Sequence, residues 1–476
     1  MIFTDRKKDF TKGPIGAPIF SFVLPMIAAQ LLQMAYNIAD SSAVGRLVGS
    51  NELAAVAATS SLSHLLINMF TGIGVGAGVL VAKYFGAKDM RRVTRSVHTS
   101  MIMSVIVGVA FCAFSLLLYA PIIELYIKEP LYVPIAKRYM GIICLGVPAL
   151  SVYNFAAAVL RSLGDTKTPL TIGALTGIAN VALNYTLILG IDGIGEAGAA
   201  IATVIAQYLS AISVVVYMFA RQGKPYSLRM GSMCFDTGVA LGSLRLGIPA
   251  GIQSSCLALS NIVLNSSVTA LSPLANGRIA QYANSIVHSV TGISWSVVAC
   301  YAQATTAYMG QNWGAGRLDR IKRGFRVITL QALAALAVVV TLELLASPLL
   351  CRLFINDSAP VEETVALAVP LLAFVMIPYV IAIVMDIMQG MLRGLGFSTG
   401  PMIISLITVV GVRIVWSQII FPFFTEDYYS IFKLYLCYII SYVLTIAALG
   451  VYMLVNRRKI RESVESSAAA PTADRD

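Results

Sequence analysis

Long apolar stretches alternate with short polar ones along almost the whole chain. Each apolar stretch is bounded by Gly, Pro or charged residues. It is long enough to cross roughly 30 Å of hydrocarbon as a helix, which takes about 20 residues. The alternating segments of about ten residues that mark a membrane β-barrel are not found in the sequence. The pattern predicts an all-α polytopic membrane protein with twelve transmembrane helices, at approximately residues 15–43, 53–82, 96–120, 133–160, 168–190, 197–220, 241–270, 279–306, 327–350, 364–392, 399–422 and 430–455.

Composition agrees with a membrane solvent. The 476 residues are 58% hydrophobic and 12% charged, with a mean hydropathy of +0.80. One soluble core does not bury so much apolar side chain.

The net charge of +11 raises the question of a nucleic-acid partner, so the placement of the basic residues matters. Most Lys and Arg lie in alternate loops, which is the positive-inside pattern if the N-terminus is cytoplasmic. The densest groups, at 83–95 and 317–326, then face anionic lipid head groups. We therefore expect a protein of the cell (inner) membrane with both termini cytoplasmic, lipids as neighbours and no nucleic-acid partner.

An internal repeat divides the chain into two halves. The segment "VLRSLGDTKTP" (159–169) matches "MLRGLGFSTGP" (391–401), and Pro25 matches Pro249. Each half holds six predicted spans, so the halves have parallel topology. The predicted organisation is two pseudo-symmetric six-helix bundles: a cytoplasmic N-terminus (1–14), an N-lobe (15–220), a cytoplasmic linker (221–240), a C-lobe (241–455) and a cytoplasmic tail (456–476). Two such bundles suit a transporter that works by alternating access.

A polar stripe follows the first span. Gln33, Tyr36, Asn37 and Asp40 have the spacing i, i+3, i+4, i+7 and share one helix face. A charge at mid-bilayer costs about 3 kcal/mol, so this face is predicted to line protein or a water-filled cavity. The alternative is a structural hydrogen bond between helices.

The fifth and sixth spans supply oxygen donors. Asn180 and Asn184 are one turn apart, and Thr203 lies one turn into the sixth span. A sodium ion needs such donors together with one or two carboxylates, whereas a proton needs only a carboxylate. The amides can equally bond across helices. The positions in the second half that correspond to the acid and the two amides are Leu264, Val412 and Trp416, so the cluster is not copied there.

A second intramembrane acid, Asp386, lies in the tenth span, and Arg413 lies inside the eleventh. Two interpretations stay open: Asp386 binds an ion or substrate, or it pairs with Arg413, since a buried Arg needs a partner.

The sequence lacks the patterns of an enzyme or a metal site. It has no HExxH motif and no CxxC pair, and its three histidines show no metal-ligand spacing. We expect no enzymatic activity, no cofactor and no bound metal other than a possible sodium ion.

Several segments together resemble the multidrug and toxic compound extrusion (MATE) transporters. They are "IADSSAVGRL" after Pro25, the paired turns "LRSLGDTKTP" and "LRGLGFSTGP", "GIANVALN" in the fifth span and "GEAGAAIAT" opening the sixth. The resemblance covers nearly the whole chain. It implies twelve helices in two lobes and export of cationic or amphipathic compounds, driven by inward movement of protons or sodium ions. In the branch this chain resembles most, an acid follows the fifth-span Asn by four residues. Asn184 replaces that acid here, so Asp40 would carry coupling alone in this half.

We therefore predict a cation-coupled antiporter of small molecules, functional as a monomer, driven by protons in preference to sodium. The alternatives are a flippase of lipid-linked saccharides from the same superfamily and a non-transporting membrane sensor. Pro25 is the predicted hinge, and the predicted site residues are Asp40, Asn180, Asn184, Thr203 and Asp386 for ion coupling and Gln33, Tyr36, Asn37, Asn154 and Tyr282 for substrate.

Overall fold

The computed structural model of the chain describes residues 8–127, 129–191, 194–229, 231, 233–269, 271, 277–354, 360–425, 427 and 429–469. Within helices, the side chains at 39–46, 50, 53, 57, 60–62, 64–66, 126, 468 and 469 lie outside the described part.

Helices account for nearly all of the described residues, and no strand occurs among them. In the first half they are α1 (Gly16–Leu47), α2 (Ser50–Gly86), α3 (Met90–Tyr126), α4 (Tyr132–Leu145), α5 (Val147–Ser162), α6 (Lys167–Gly190) and α7 (Glu196–Ala220). In the second half they are α8 (Thr237–Thr269), α9 (Gly277–Gly314), α10 (Leu318–Leu345), α11 (Ser347–Leu353) and α12 (Val361–Gly394), then α13 (Thr399–Ser405), α14 (Val412–Val415), α15 (Ser430–Val455) and α16 (Arg457–Ala469). The eleventh span, Thr399–Phe424, includes α13 and α14 with π-helical turns at Leu406–Gly411 and Trp416–Ile420.

The predicted spans are confirmed. Eleven helical stretches of the described residues are long and apolar enough to cross a membrane, and α4 with α5 makes a twelfth, bent by 48°. Pro148 at the start of α5 explains the break, because proline lacks the N–H that would continue the helix.

Many helices are longer than the apolar windows that predicted them. The third window starts at 96, but α3 begins at Met90, where the Asp89 side chain accepts a hydrogen bond from the backbone N–H of Arg92 at 2.9 Å. This N-cap satisfies a backbone donor that the helix itself leaves open, so the basic turn after it is helical too.

The described residues fall into two compact units. The first contains the described parts of Met1–Lys12 and Leu24–Ser255, and the second contains Gly13–Val23 and Cys256–Ala469. The division therefore falls inside α1, next to Pro25, and inside α8, rather than in the 221–240 linker.

That linker is part of the first unit. The Thr99 hydroxyl of α3 accepts a hydrogen bond from the backbone N–H of Asp236 at 3.0 Å, and the buried Tyr226 ring stacks on Tyr217 with 5.9 Å between centroids.

Candidate functional site

The C-terminal half of α1 packs on α6 in the first unit. The Tyr36 ring lies over Gly177, and the Tyr36 hydroxyl donates a 2.9 Å hydrogen bond to the carbonyl of Ala174. Further along, Val48 lies against Gly195, just beyond the end of α6. The two contacts advance in the same direction on both helices, so α1 and α6 are parallel.

A polar cluster joins α6 to α7 within this contact region. Asn180 and Asn184 are buried, and the Asn180 amide nitrogen lies 3.5 Å from the Thr203 hydroxyl. One turn before Asn180 on α6, the Thr176 hydroxyl accepts a 2.7 Å hydrogen bond from Ser210 of α7. The predicted trio of Asn180, Asn184 and Thr203 is thus brought to one helix pair.

The Asp40 side chain lies outside the described residues, but its backbone is part of α1. It comes four residues after Tyr36, about 6 Å along the axis at 1.5 Å per residue. The same advance from Gly177 along the parallel α6 reaches the turn that carries Asn180 and Asn184. The α1 backbone at Asp40 is therefore level with the buried amides.

Gln33 and Asn37 are exposed on α1, and Tyr36 is half-buried between them. The first unit leaves this part of the stripe uncovered.

Asn154 of α5 is engaged in helix packing. Its amide donates to the carbonyl of Leu150 at 2.9 Å and accepts from the Thr71 hydroxyl of α2 at 3.3 Å. These bonds support the role of an interhelical contact. Tyr282, the remaining residue predicted for substrate, is half-buried in α9 of the second unit.

Pro25 lies within α1, two residues after the boundary between the units at Val23 and Leu24. Pro25 has no N–H to donate to the backbone carbonyl of Ser21, and its ring crowds that carbonyl. The weak point of α1 thus coincides with the place where the helix passes from one unit to the other.

Arg413 has neutral partners, which answers the question of its pairing. The guanidinium is buried and donates to the Asn261 side-chain oxygen at 2.9 Å, the Ser260 hydroxyl at 3.3 Å and the Tyr442 hydroxyl at 2.9 Å. It also lies 4.0 Å from the centroid of the Tyr438 ring. Such a cation–π contact stabilises a desolvated cation by about 2 kcal/mol.

Asp386 is buried on α12 and makes no hydrogen bond or ion pair with any residue that the structure describes. Of the two interpretations left open by the sequence, the direct pair with Arg413 is not formed in this structure. Arg393 and Arg413 act on Asp386 through space only.

The sequence reasoning missed another buried acid, Glu343, in the last turn of α10. Its carboxylate accepts hydrogen bonds from the backbone N–H of Ser294 at 3.1 Å and from the Ser294 hydroxyl at 2.5 Å. A signal was present, because Glu343 is the lone acid inside the predicted span 327–350.

The comparisons with known proteins agree with this architecture. The MatE family model matches the chain twice, at residues 25–186 and 249–419. The probable multidrug resistance protein YoeA of Bacillus subtilis is 26% identical over 413 residues, 85% of this chain and 86% of that protein. The probable multidrug resistance protein NorM of Thermotoga maritima is 25% identical over 414 residues, 84% of each.

The chain also has the fold of a solved structure. That structure is the outward-facing conformation of a multidrug resistance MATE family transporter of the MOP superfamily. The TM-score is 0.85 at 20% identity, over 97% of this chain and 99% of that one. The two MatE matches begin at Pro25 and Pro249, the prolines that open the two repeats, and together they cover more than half of the chain. The chain belongs to the MatE family; it is a multi-pass membrane transporter and not an enzyme.

Proposed function

We propose that this transporter exports amphipathic, cationic compounds from the cytoplasm in exchange for external protons, with Asp40 as the coupling carboxylate of the first unit. The observation that carries the proposal is the packing of α1 on α6. It sets the α1 backbone at Asp40 level with Asn180 and Asn184.

The mechanism is electrostatic. Ionised Asp40 favours a cationic ligand or a hydrated cavity, because an isolated charge is costly in hydrocarbon. Protonation removes the charge, so the ligand loses its attraction and the polar stripe tolerates burial. Pro25 gives α1 a place to bend as this change occurs.

The proton is favoured over sodium by the donors at this level. Asn180, Asn184 and Thr203 are neutral, and the Asn180 amide nitrogen is directed at Thr203. A proton needs only one carboxylate, whereas a sodium ion also needs several oxygens directed at it, and Asn180 turns its amide nitrogen rather than its oxygen towards Thr203. One charge moved inward through 100 mV releases about 2.3 kcal/mol, which supports a gradient of roughly fiftyfold for an uncharged compound, whereas exchange of one proton for one monovalent cation is driven by the pH difference alone.

The proposed setting is the cell membrane, with both termini cytoplasmic and the chain active as a monomer. The basic segments at 83–95 and 317–326 then face the anionic inner leaflet.

The test is ethidium transport into everted vesicles under an imposed pH or sodium gradient. Asp40→Asn is expected to lose the acceleration by a pH gradient, because the amide cannot take up a proton at working pH. Asp89→Asn is the matched control, since this exposed acid caps α3 and asparagine caps equally well.

Normal transport by Asp40→Asn with an unchanged pH dependence would contradict the coupling role. Acceleration of the wild type by sodium alone would replace the proton with sodium. Absence of ethidium transport in the wild type would contradict the proposed export of amphipathic cations.

A further inference from the structure

Glu343 is a carboxylate enclosed by the second unit. It is 3% exposed, and Ser294 of α9 is fully buried beside it. Two Ser294 donors face the carboxylate, and no basic side chain of the described residues lies within ion-pair distance. A buried carboxylate without a cation is costly when ionised, and the two hydrogen bonds from Ser294 offset part of that cost.

Glu343 lies in the second half of the ninth span, which is formed by α10. It lies two residues before the end of α10, and the helix breaks at Ala346 before α11 begins with Ser347 and Pro348. Because successive spans alternate in direction, α10 runs from the membrane side of the N-terminus to the opposite side. With the proposed cytoplasmic N-terminus, Glu343 therefore lies in the external half of its span, level with Ser294 near the middle of α9.

The titratable group that faces Glu343 from another packed element is Tyr379 of α12. Tyr379 is in electrostatic range of Glu343, Tyr442 and Arg413, and its ring meets Trp295 of α9 edge to face at 6.0 Å. Tyr442 is in turn in range of Asp386.

Asp386 lies seven residues after Tyr379 on α12, two turns and about 10 Å closer to the cytoplasmic end. The two buried acids of the second unit thus lie at different depths. Tyr379 of α12 is in electrostatic range of Glu343, and Tyr442 of α15 is in range of Asp386. Arg413 provides a fixed positive charge beside this series.

We propose that Glu343, oriented by Ser294, is a second proton-binding residue of the transporter, at the external end of a buried polar series that leads to Asp386. Protonation removes the negative charge and frees Ser294 from an anionic acceptor in the middle of α9. The proton enters from external water and leaves to cytoplasmic water as the transporter turns over. This inference rests on the proposed proton coupling and adds a carrier in the other unit.

The test measures protons taken up per ethidium exported by the purified chain in liposomes under a pH gradient. Glu343→Gln keeps the shape of the side chain and is expected to lower the ratio by one. Glu362→Gln is the control, because this exposed acid of α12 pairs with Arg352 and should leave the ratio unchanged.

A second readout does not depend on transport. Infrared difference spectra of the carboxyl stretch against pH should lose one titrating band in Glu343→Gln. In Ser294→Ala the same band should remain and shift in frequency, because the carboxyl group loses the hydroxyl donor.

A wild-type ratio together with a wild-type set of carboxyl bands in Glu343→Gln would overturn the proposal. Asp40→Asn in the same assay separates the two ideas. If it lowers the ratio and Glu343→Gln does not, the proposed function stands and this inference fails. If Glu343→Gln alone lowers it, the role of Asp40 fails instead.

Discussion

At the scale of single residues, the contact between Tyr36 and Gly177 determines how closely α1 approaches α6. A Cβ at position 177 would lie 2.0 Å from a ring carbon of Tyr36, far inside van der Waals contact. Glycine is needed here for space rather than for backbone freedom. The same contact keeps the Tyr36 hydroxyl on the Ala174 carbonyl.

Gly177→Val is expected to displace the Tyr36 ring, break its hydrogen bond to Ala174 and reduce ethidium export at least tenfold. The free energy of unfolding should fall by about 1–3 kcal/mol, the usual effect of overpacking. Gly190→Val is the control on the same helix, because no atom lies within 4 Å of a Cβ added there. Transport and SDS-induced unfolding of the two variants give the comparison, and equal behaviour would refute the packing argument.

Single residues also show where sequence reasoning stops. The contact of Asn180 with Thr203 follows from spacing, because both lie on facing sides of consecutive helices. The partners of Arg413 do not follow, since they come from up to 153 positions away and are all neutral. Asn154 is polar like a ligand-binding residue, but its amide is used between helices. Spacing identifies a helix face and does not say what covers it.

At the scale of helices, α2 is packed through glycines on two opposite faces. A Cβ on Gly74 or Gly78 would meet α5 backbone oxygens at 3.3 and 3.1 Å. On the other face, a Cβ on Gly76 would lie 2.3 Å from the Ser243 carbonyl oxygen of α8. Small residues of this kind let backbones approach closely where no hydrophobic effect drives helices together.

Gly76→Ala is therefore expected to destabilise the protein more than Gly74→Ala, because the added Cβ would lie 2.3 Å from a backbone carbonyl oxygen at position 76 and 3.3 Å from one at position 74. We expect a loss of about 2 kcal/mol for the first and less than half of that for the second. Gly450→Ala on α15 is the control, because no atom lies within 4 Å of a Cβ added there and no loss of stability from overpacking is expected. Unfolding in detergent measures all three, and a reversed order would contradict the assigned faces.

The helices themselves were predictable because each apolar window must satisfy its own backbone hydrogen bonds in hydrocarbon. The ends of the helices were not predictable from the apolar windows, because caps such as Asp89 extend helices into polar segments. The break between α4 and α5 was hidden inside one continuous apolar window, although Pro148 marks it.

At the scale of the whole molecule, the two units share a framework and differ in their polar interiors. The repeated turns keep a left-handed glycine each, with φ of +89° at Gly164 and +85° at Gly396. The second unit has polar groups of its own at other positions, centred on Glu343 and Arg413. Duplication thus preserved the backbone, while each half acquired separate chemistry.

The two repeated turns are also covered by different parts of the chain. A Cβ at Gly396 would meet the ring of Trp313, whose indole N–H donates to the Ser463 carbonyl of α16 at 3.0 Å. A Cβ at Gly164 would meet the backbone of Lys8 at 2.7 Å. One terminal segment therefore packs on the first turn, and α16 packs behind the second.

The segment at Lys8 makes this arrangement testable by pH. Burial, and then repulsion by Lys167, lower the pKa of Lys8 from 10.5 to about 8. A detached segment would bind more protons between these pH values, so its attachment should strengthen as pH rises from about 8 to 10.5. Competitive amine labelling with mass spectrometry should give a midpoint near pH 8 for Lys8, and Lys167→Gln should raise it. A midpoint near 10.5 in both proteins would mean that Lys8 does not pack on the Gly164 turn.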